Sequence, residues 1–195
     1  MEHILICGFD EAGRGPLAGP VTAGAVILPP DFPVELLNDS KKLSEKKREE
    51  CEKLILEKAC WGRGIVDHKK IDEINILQAS MLAMKLAYEE LLSKLPAWAK
   101  QQGISDYRIS AITDGTKCPS VDCEVRCEPK ADGKYPEVMA ASILAKVLRD
   151  RIMVEYDGLY PQYGYKKHKG YPTKAHREIC HKIGPSPIQR MSFSY

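Results

Sequence analysis

No run of apolar residues in this chain of 195 is long enough to cross a bilayer. The opening apolar run, which ends at Cys7, is too short for the core of a secretory signal peptide, and no basic flank precedes it. Internal repeats and low-complexity segments are also missing. These absences favour an ordinary globular protein, and we expect it to be cytoplasmic and to make no contact with a membrane.

The cysteines offer neither a disulfide framework nor a familiar metal site. Seven is an odd number, and the spacing of Cys118, Cys123 and Cys127 matches no common zinc signature. Together with Val121 and Val125, the last two of these cysteines alternate with charged residues, which is the pattern of one apolar strand face. We therefore interpret them as core packing in preference to metal ligands.

The composition fits one globular domain with or without a small appendage, since 44% of the residues are hydrophobic and 29% are charged. The net charge of +2 hides an asymmetry: from residue 160 onward seven basic residues face one acid, so this stretch carries +6 and the rest of the chain −4. Interleaved tyrosines favour a surface for a polyanion with stackable rings, although a solvated lysine-rich surface explains the charge equally well. The basic residues are Lys166, Lys167, Lys169, Lys174, Arg177, Lys182 and Arg190, and the tyrosines are Tyr160, Tyr163, Tyr165 and Tyr171.

Apolar runs and turn residues predict five strands and four helices. The strands are expected at residues 3–9, 21–28, 61–66, 107–113 and 121–127. The helices are expected from about Ser44, over 71–95, over 135–157, and from a Thr173 cap to Gly184. An apolar stripe along the second helix, which includes Met81 and Met84, is interpreted as core. This order predicts an α/β fold with a mixed sheet over residues 1–158 and a basic helical appendage over 159–195.

Four carboxylates stand at strand ends or helix approaches: Asp10, Glu11, Asp114 and Asp132. Adjacent strand residues normally point to opposite faces, so Asp10 and Glu11 share one site only if the chain bends there, as the glycine-rich segment 12–15 would allow. Clustered acids repel unless a cation neutralises them, and hard oxygen ligands suit Mg²⁺ or Mn²⁺. Two such ions about 3.5–4 Å apart serve phosphodiester hydrolysis.

The alternative for these acids is an ordinary turn or cap. Asp114 and Asp132 each precede a glycine, as turn aspartates commonly do. The sequence alone does not show that the four acids meet in space. For Gly13-Arg14-Gly15 the alternative is the opening of a dinucleotide-binding fold, but prolines and a strand follow where a helix is required. A glycine loop can instead bring bare backbone groups close to a ribose or a phosphate.

These motifs, in this order, resemble the ribonuclease HII family. The segment from Gly8 to Val21, which holds Asp10, Glu11 and Gly13-Arg14-Gly15, matches the opening motif of that family almost residue for residue. The resemblance covers nearly the whole chain. One departure is Gln189, where the closing motif of the family has histidine, and it leaves the role of that position in doubt. The other matching segments are 39–44, 71–84, 114–115, 130–132, 140–147, 168–173 and 190–193.

The resemblance implies a ribonuclease H-like fold with a small C-terminal helical region, and an endoribonuclease that cuts the RNA strand of RNA/DNA hybrids. It implies that the four acids are catalytic ligands of two Mg²⁺ or Mn²⁺ ions, and that the products carry 3′-hydroxyl and 5′-phosphate ends. Cleavage would fall 5′ of single ribonucleotides embedded in duplex DNA. The Gly13-Arg14-Gly15 backbone would contact the ribonucleotide 2′-hydroxyl, and Tyr171 would pack on the neighbouring deoxyribose, although an ordinary tail aromatic is the alternative for that ring.

Lys41, Lys42, Lys146 and the tail lysines are candidates for contacts with backbone phosphates, which hold the register of the duplex without reading its bases. Solvated surface is the alternative for each of them. The expected partners are RNA/DNA hybrids and DNA duplexes with embedded ribonucleotides. The residues do not indicate which metal serves in the cell or whether the tail contacts a replication clamp, and a monomer is the default expectation.

Two other functions stay open at this point. The sister family, ribonuclease HIII, cuts longer RNA stretches, tends to carry an extra N-terminal domain and uses glutamate as its fourth acid. Here the fourth acid is Asp132 and the first strand is predicted from residue 3, which disfavours that family. A non-catalytic module that binds hybrids is the other alternative, and the presence of all four acids argues against it.

Overall fold

The structure, a computed structural model, describes residues 2–194 and contains one mixed five-stranded sheet. The strand order is β3-β2-β1-β4-β5. β1 pairs with β2 and β2 with β3 in antiparallel fashion, whereas β1 with β4 and β4 with β5 are parallel. The prediction of an α/β fold with a mixed sheet is confirmed. The strands are β1 (His3–Ala12), β2 (Val21–Ile27), β3 (Cys60–Val66), β4 (Tyr107–Asp114) and β5 (Glu124–Glu128).

Five α-helices accompany the sheet, and the two predicted caps are confirmed. The hydroxyl of Ser44 accepts a hydrogen bond from the main-chain N–H of Lys47, and that of Thr173 accepts one from His176. Short 3₁₀ turns lie at Val34–Leu36, Ala131–Gly133 and Pro161–Tyr163. The helices are α1 (Glu45–Lys58), α2 (His68–Gln101), α3 (Pro136–Leu159), α4 (Tyr165–His168) and α5 (Lys174–Ile183). None of the helices within residues 2–194 is long and apolar enough to pass through a membrane.

The long helix α2 differs from its prediction because it is interrupted near its start. Asn75 has φ 68° and ψ 164°, and its side-chain oxygen accepts from the N–H of Gln78 at 3.0 Å. This is the bond of a helix N-cap, so a short helical turn ends at Asn75 and the main helix begins after it. The predicted stripe is core, since Met84 is fully buried and Met81 packs against the same cluster. Each large apolar side chain buried in this way contributes about 1.5–3 kcal/mol.

Glycines let the two long helices lie close to the opposite faces of the sheet. On one face, a Cβ on Gly64 of β3 would overlap the carbonyl oxygen of Ala83 in α2. On the other face, a Cβ on Gly8 of β1 would overlap the main chain of α3 at Glu137. The core therefore has two layers, and α3 approaches β1 close to the carboxyl end of that strand.

The interpretation of the cysteines needs one correction. Cys123 packs against the large core cluster, as predicted. Cys118 and Cys127 instead pair with each other, with their Cα atoms 5.7 Å apart and their sulfur atoms within bonding distance. The physical reason is that β5 begins at Glu124, three residues later than expected, so the preceding loop folds back and brings Cys118 beside the end of the strand.

The C-terminal part packs on the loop that follows β1. Met153 of α3, Ala18 of the loop and Tyr165 form a small separate hydrophobic cluster with Cys180 and Ile188. Ala18 also pairs with Gln189 through an isolated β-bridge. The tail thus contacts the segment that, in sequence, directly follows the first two acids.

Candidate active site

Parallel pairing brings the acids of β1 and β4 to the same edge of the sheet. Phe9 lies opposite Thr113, so Asp10 and Asp114 are the next residues on neighbouring strands. Asp10 is buried, and Asp114 is half-buried. The sequence predicted both positions, but only the strand order shows that they are neighbours.

Glu11 reaches this edge without the bend that the sequence analysis required. β1 continues through Asp10 and Glu11, which pair with Gly24 and Ala23 of β2, so the prediction that the strand ends at Phe9 was wrong. The reason is that β2 offers regular antiparallel partners as far as Ala12, and the chain turns only at Gly13, where φ is 99°. The Glu11 carboxylate is half-buried and lies 3.4 Å from the guanidinium of Arg14.

The fourth acid is tied to the third through the main chain. The N–H of Ala131 donates to Oδ1 of Asp114 at 2.8 Å, and Asp132 follows in the same 3₁₀ turn. Asp132 is buried, and its Oδ2 accepts from the ammonium of Lys41 at 3.3 Å. The turn therefore brings Asp132 to the edge of the sheet where Asp114 ends β4.

The electrostatics of this edge show negative charge that is poorly compensated. Burial, followed by the charge of Glu11, raises the pKa of Asp10 well above its usual range, against a lowering hydrogen bond from Ser142. Burial also raises the pKa of Glu11, although Arg14 opposes it, and the charge of Asp114 adds to the rise. Burial works against the charged form of Lys41, but the hydrogen bond to Asp132, together with the negative charges of Asp132, Asp39 and Asp10, outweighs burial and raises the lysine pKa.

The donor set fits a hard divalent cation. It consists of carboxylate oxygens at one edge of the sheet, and a bound cation would offset the burial and the repulsion that raise the pKa values of Asp10 and Glu11. No group of three or more His, Cys, Asp or Glu side chains within residues 2–194 already stands in a ready metal-binding arrangement. Each carboxylate makes at least one hydrogen bond or ion pair, which does not exhaust its four lone-pair directions.

The glycine loop, residues 13–20 between β1 and β2, and Tyr171 lie beside this edge. Gly13 takes a positive φ, and Gly15 lies so close to the ring of Tyr171 that a methyl group on it would stand 3.8 Å from Cε1. Tyr171 is 40% exposed, which leaves much of its surface open to a ligand. The structure thus brings together two features that are more than 150 residues apart in the chain.

The three candidate phosphate-binding lysines occupy different surroundings. Lys41 contacts Asp132 and so belongs to the acidic edge. Lys42 is exposed in the same turn, where its main-chain N–H donates to the carbonyl of Asp39 at 2.9 Å. Lys146 on α3 forms an ion pair with Asp150 at 2.7 Å. The structure therefore places Lys41 in the site, whereas a phosphate would have to compete with a carboxylate for Lys146.

Sequence reasoning missed residues that hold the site from behind. Ser142 of α3 is buried, bonds to Asp10, and shares a 2.7 Å hydrogen bond with the hydroxyl of Ser40. Arg149 and Arg190 are fully buried beneath the glycine loop. The available signal was a polar side chain at an otherwise apolar helix position, which predicts a buried partner but does not identify it.

Comparisons with known proteins agree with this geometry. The family model described as Ribonuclease HII matches residues 7–195. A ribonuclease HII of Treponema denticola is 53% identical over 193 residues, covering 97% of this chain and 98% of the relative. Two solved structures share the fold: ribonuclease H2 of Pyrococcus horikoshii (26% identity, TM-score 0.68, 97% and 93% covered) and the ribonuclease HII of a PCNA complex from Archaeoglobus fulgidus (25%, 0.69, 98% and 96%).

Proposed function

Because this chain belongs to the ribonuclease HII family, whose members are metal-dependent nucleases that hydrolyse RNA in RNA/DNA hybrids, we propose that it also cuts 5′ of single ribonucleotides embedded in duplex DNA. The observation that carries the proposal is the juxtaposition of Asp10, Glu11, Asp114 and Asp132 at one edge of the sheet, beside Gly13-Arg14-Gly15 and Tyr171. In this proposal the acids serve the hydrolysis, and the loop and the ring determine which bond is cut.

In this proposal the four carboxylates hold two divalent ions, Mg²⁺ or Mn²⁺. When bound, such ions supply an activated water and stabilise the charge of the leaving oxygen. Asp10 is held by the N–H of Glu11 and by Ser142, and Asp114 by the N–H of Ala131, so these two carboxylates are oriented before any ligand arrives. Hydrolysis of the bond on the 5′ side of the ribonucleotide then gives a 3′-hydroxyl and a 5′-phosphate.

Recognition is divided among the groups around the acids. The backbone of Gly13-Arg14-Gly15 would donate to or accept from the 2′-hydroxyl, the group that distinguishes RNA from DNA. Tyr171, adjacent to Gly15, would pack on the deoxyribose at the junction. Lys41, Lys42, Lys146 and the tail lysines would contact backbone phosphates, so affinity should fall as salt rises.

The division of the chain into a catalytic domain over residues 1–158 and a basic appendage over 159–195 is part of the same proposal. In its support, the tail has a small apolar cluster of its own around Tyr165 and Cys180. Against full independence, that cluster includes Met153 of α3 and Ala18 of the glycine loop. We therefore propose an appendage that completes the substrate site, on a monomeric enzyme.

The test is cleavage of a labelled DNA duplex that contains one ribonucleotide, with Mg²⁺ or Mn²⁺, and with chelator as the control. A single cut on the 5′ side of the ribonucleotide, lost with chelator, is expected. No cut there, together with cutting of a long hybrid, would indicate the substrate range of the sister family, ribonuclease HIII. Binding that survives chelator while neither substrate is cut would indicate a non-catalytic module.

A further inference from the structure

Two arginines, Arg149 of α3 and Arg190 of the C-terminal segment, head the large side chains that the protein buries completely. Burial of a charged group is costly unless hydrogen bonds replace its lost water. All seven hydrogen bonds that their guanidiniums donate go to main-chain carbonyl oxygens. These two cations therefore bind the main chain, and the position of the carbonyls that accept their hydrogen bonds shows which segment they hold.

The carbonyls belong almost entirely to the loop between β1 and β2. Arg190 donates to Gly13 at 2.6 Å and to Arg14 at 3.1 Å, at the start of the loop. It also donates to Gly19 at 2.9 Å and to Pro20 at 3.0 Å, at the end of the loop. One planar guanidinium thus ties both ends of the loop together.

Arg149 supports the same loop from α3. Its Nε donates to Pro20 at 3.0 Å, so that one carbonyl accepts from both arginines, and its other nitrogens donate to Ala18 and to Lys169. A Cβ on Gly13 would overlap the Arg149 side chain. Arg149 also lies 5.8 Å from the centre of the Tyr171 ring, so it contacts both parts of the candidate recognition surface.

The geometry of the peptide bond relates these carbonyl contacts to the directions of the neighbouring N–H groups. In a trans peptide the C=O of one residue and the N–H of the next point in opposite directions, and the chain has no cis peptide bond within residues 2–194. Arg190 draws the carbonyls of Gly13 and Arg14 inward. The N–H groups of Arg14 and Gly15 must consequently face outward, towards the surface beside Tyr171 and the four acids.

We propose that Arg190, supported by Arg149, is a positioning residue that presents the N–H groups of Arg14 and Gly15 to the ribose of the substrate. The inference rests on the proposed function, because it assigns a cause to the 2′-hydroxyl recognition proposed above. Lysine cannot replace arginine here, since a single ammonium lacks the planar fork that reaches four carbonyls at once. The tail thus contributes to specificity from beneath the loop as well as through its surface charge.

The experiment compares Arg190→Lys with Arg151→Lys, a matched control two residues beyond Arg149 on α3, where the side chain pairs with Glu52. The first readout is the pair of Arg14 and Gly15 amide resonances in ¹⁵N–¹H spectra of the protein without nucleic acid. The second is the ratio of dissociation constants for an all-deoxy duplex and the same duplex with one ribonucleotide, measured with Ca²⁺ so that cleavage does not intervene. Melting curves check that each variant folds.

We expect Arg190→Lys to shift both amide resonances and to narrow the affinity ratio by about tenfold, an effect typical of a lost set of buried hydrogen bonds. Arg151→Lys should leave both readouts as in the unaltered protein. If Arg190→Lys does not fold, Arg149→Lys, which retains the four bonds of Arg190, takes its place with a change in the same direction expected.

Unchanged resonances, or an unchanged affinity ratio in a folded variant, would overturn the inference. A loss of affinity for both duplexes by the same factor would also overturn it, because a general structural role predicts that result. If the unaltered protein itself shows an affinity ratio near one, the proposed 2′-hydroxyl recognition has failed. The amide resonances then decide the positioning role alone.

Discussion

Two clusters of like charge lie next to each other in this protein, and the protein treats them in opposite ways. The carboxylates of Asp10 and Asp132 are buried at the edge of the sheet, and the pKa of Asp10 is raised by burial and by neighbouring negative charge. The guanidiniums of Arg149 and Arg190 are buried just beyond, beneath the loop that follows the first two acids. Each arginine donates three or four hydrogen bonds to carbonyl oxygens.

This difference in compensation indicates which of the two clusters is suited to binding a charged ligand. Burial lowers the pKa of Arg149 to about 10 and that of Arg190 to about 9, so both remain charged at neutral pH, and the carbonyls compensate them within the fold. The acids have fewer compensating partners, and like charges so placed are stabilised by protonation or by an added cation. Under the proposed function, the compensated arginines serve as scaffold and the poorly compensated acids form the reaction site.

The largest effect should follow from neutralising an acid. Asp10→Asn or Asp114→Asn should lower kcat by roughly 10³-fold or more, because metal-assisted hydrolysis depends on these ligands. Binding of the duplex should be largely retained, since the lysines carry most of the affinity. Single-turnover cleavage and a separate binding titration measure the two properties. Asp31→Asn, in an exposed loop after β2, is the control, and near-normal cleavage by either site variant would refute the metal-site assignment.

This contrast also shows what the sequence could reveal. The acids at strand ends were identified from the sequence, because turn-like aspartates after apolar runs are a local pattern, and the strands and caps follow from local periodicity. That Asp10 and Asp114 are neighbours depends on the pairing of β1 with β4, which no local pattern specifies. The roles of Arg149 and Arg190 were missed for the same reason, since a basic residue on a helix or in a basic tail predicts a solvated surface, whereas these two are buried.

A smaller loss of catalytic efficiency is expected from a change beside the buried arginines. Tyr171→Ala should lower kcat/KM for the embedded ribonucleotide by about tenfold, equivalent to about 1.4 kcal/mol, because the packing of the ring on the deoxyribose is lost. Cleavage of a long hybrid should fall less, and Tyr171→Phe should restore most of the preference. The ratio of kcat/KM for the two substrates is the measurement. Equal losses on both substrates would mean that the ring only holds the tail together.

The acidic cluster should also make the metal-free protein less stable as the pH rises. The folded pKa values of Asp10 and Glu11 lie above their ordinary values of 3.8 and 4.5, so the folded protein holds protons that the unfolded chain has lost. Their contribution to the free energy of unfolding is complete below the unfolded pKa values and disappears as the pH rises through the folded ones. Urea unfolding between pH 4 and 8 measures it.

Mg²⁺ should remove that slope, because a bound cation takes over the role of the protons. Asp10→Asn should flatten the slope without metal, since it removes the most deeply buried of the acids. If chelated protein shows the same free energy of unfolding with and without Asp10→Asn at every pH, the acids are better compensated than the structure indicates, and the contrast with the arginines loses its basis.

The smallest expected effect on stability has the opposite pH dependence, because here acid destabilises the protein. It arises in the C-terminal tail. The rings of His168 and His176 stack at 4.4 Å, and each bonds the main chain next to Tyr171: His168 Nδ1 accepts from the N–H of Gly170, and His176 Nδ1 contacts the carbonyl of Tyr171. Burial lowers the pKa of both histidines. The unfolded chain therefore binds protons first, near pH 6.5, and the free energy of unfolding should fall as the pH decreases below that value.

Hydrogen exchange at the Gly170 amide, followed from pH 7 to 5, measures this loss where it should occur. His176→Phe keeps an aromatic ring against His168 but cannot be protonated, so it should weaken the pH dependence, while His181→Gln on the exposed side of α5 should not. If acid lowers the protection of the Gly170 amide equally in the unaltered protein and in both variants, protonation of His176 is not the cause. The expected result would show that the tail is stable where it is neutral or compensated, whereas the acidic edge depends on a ligand.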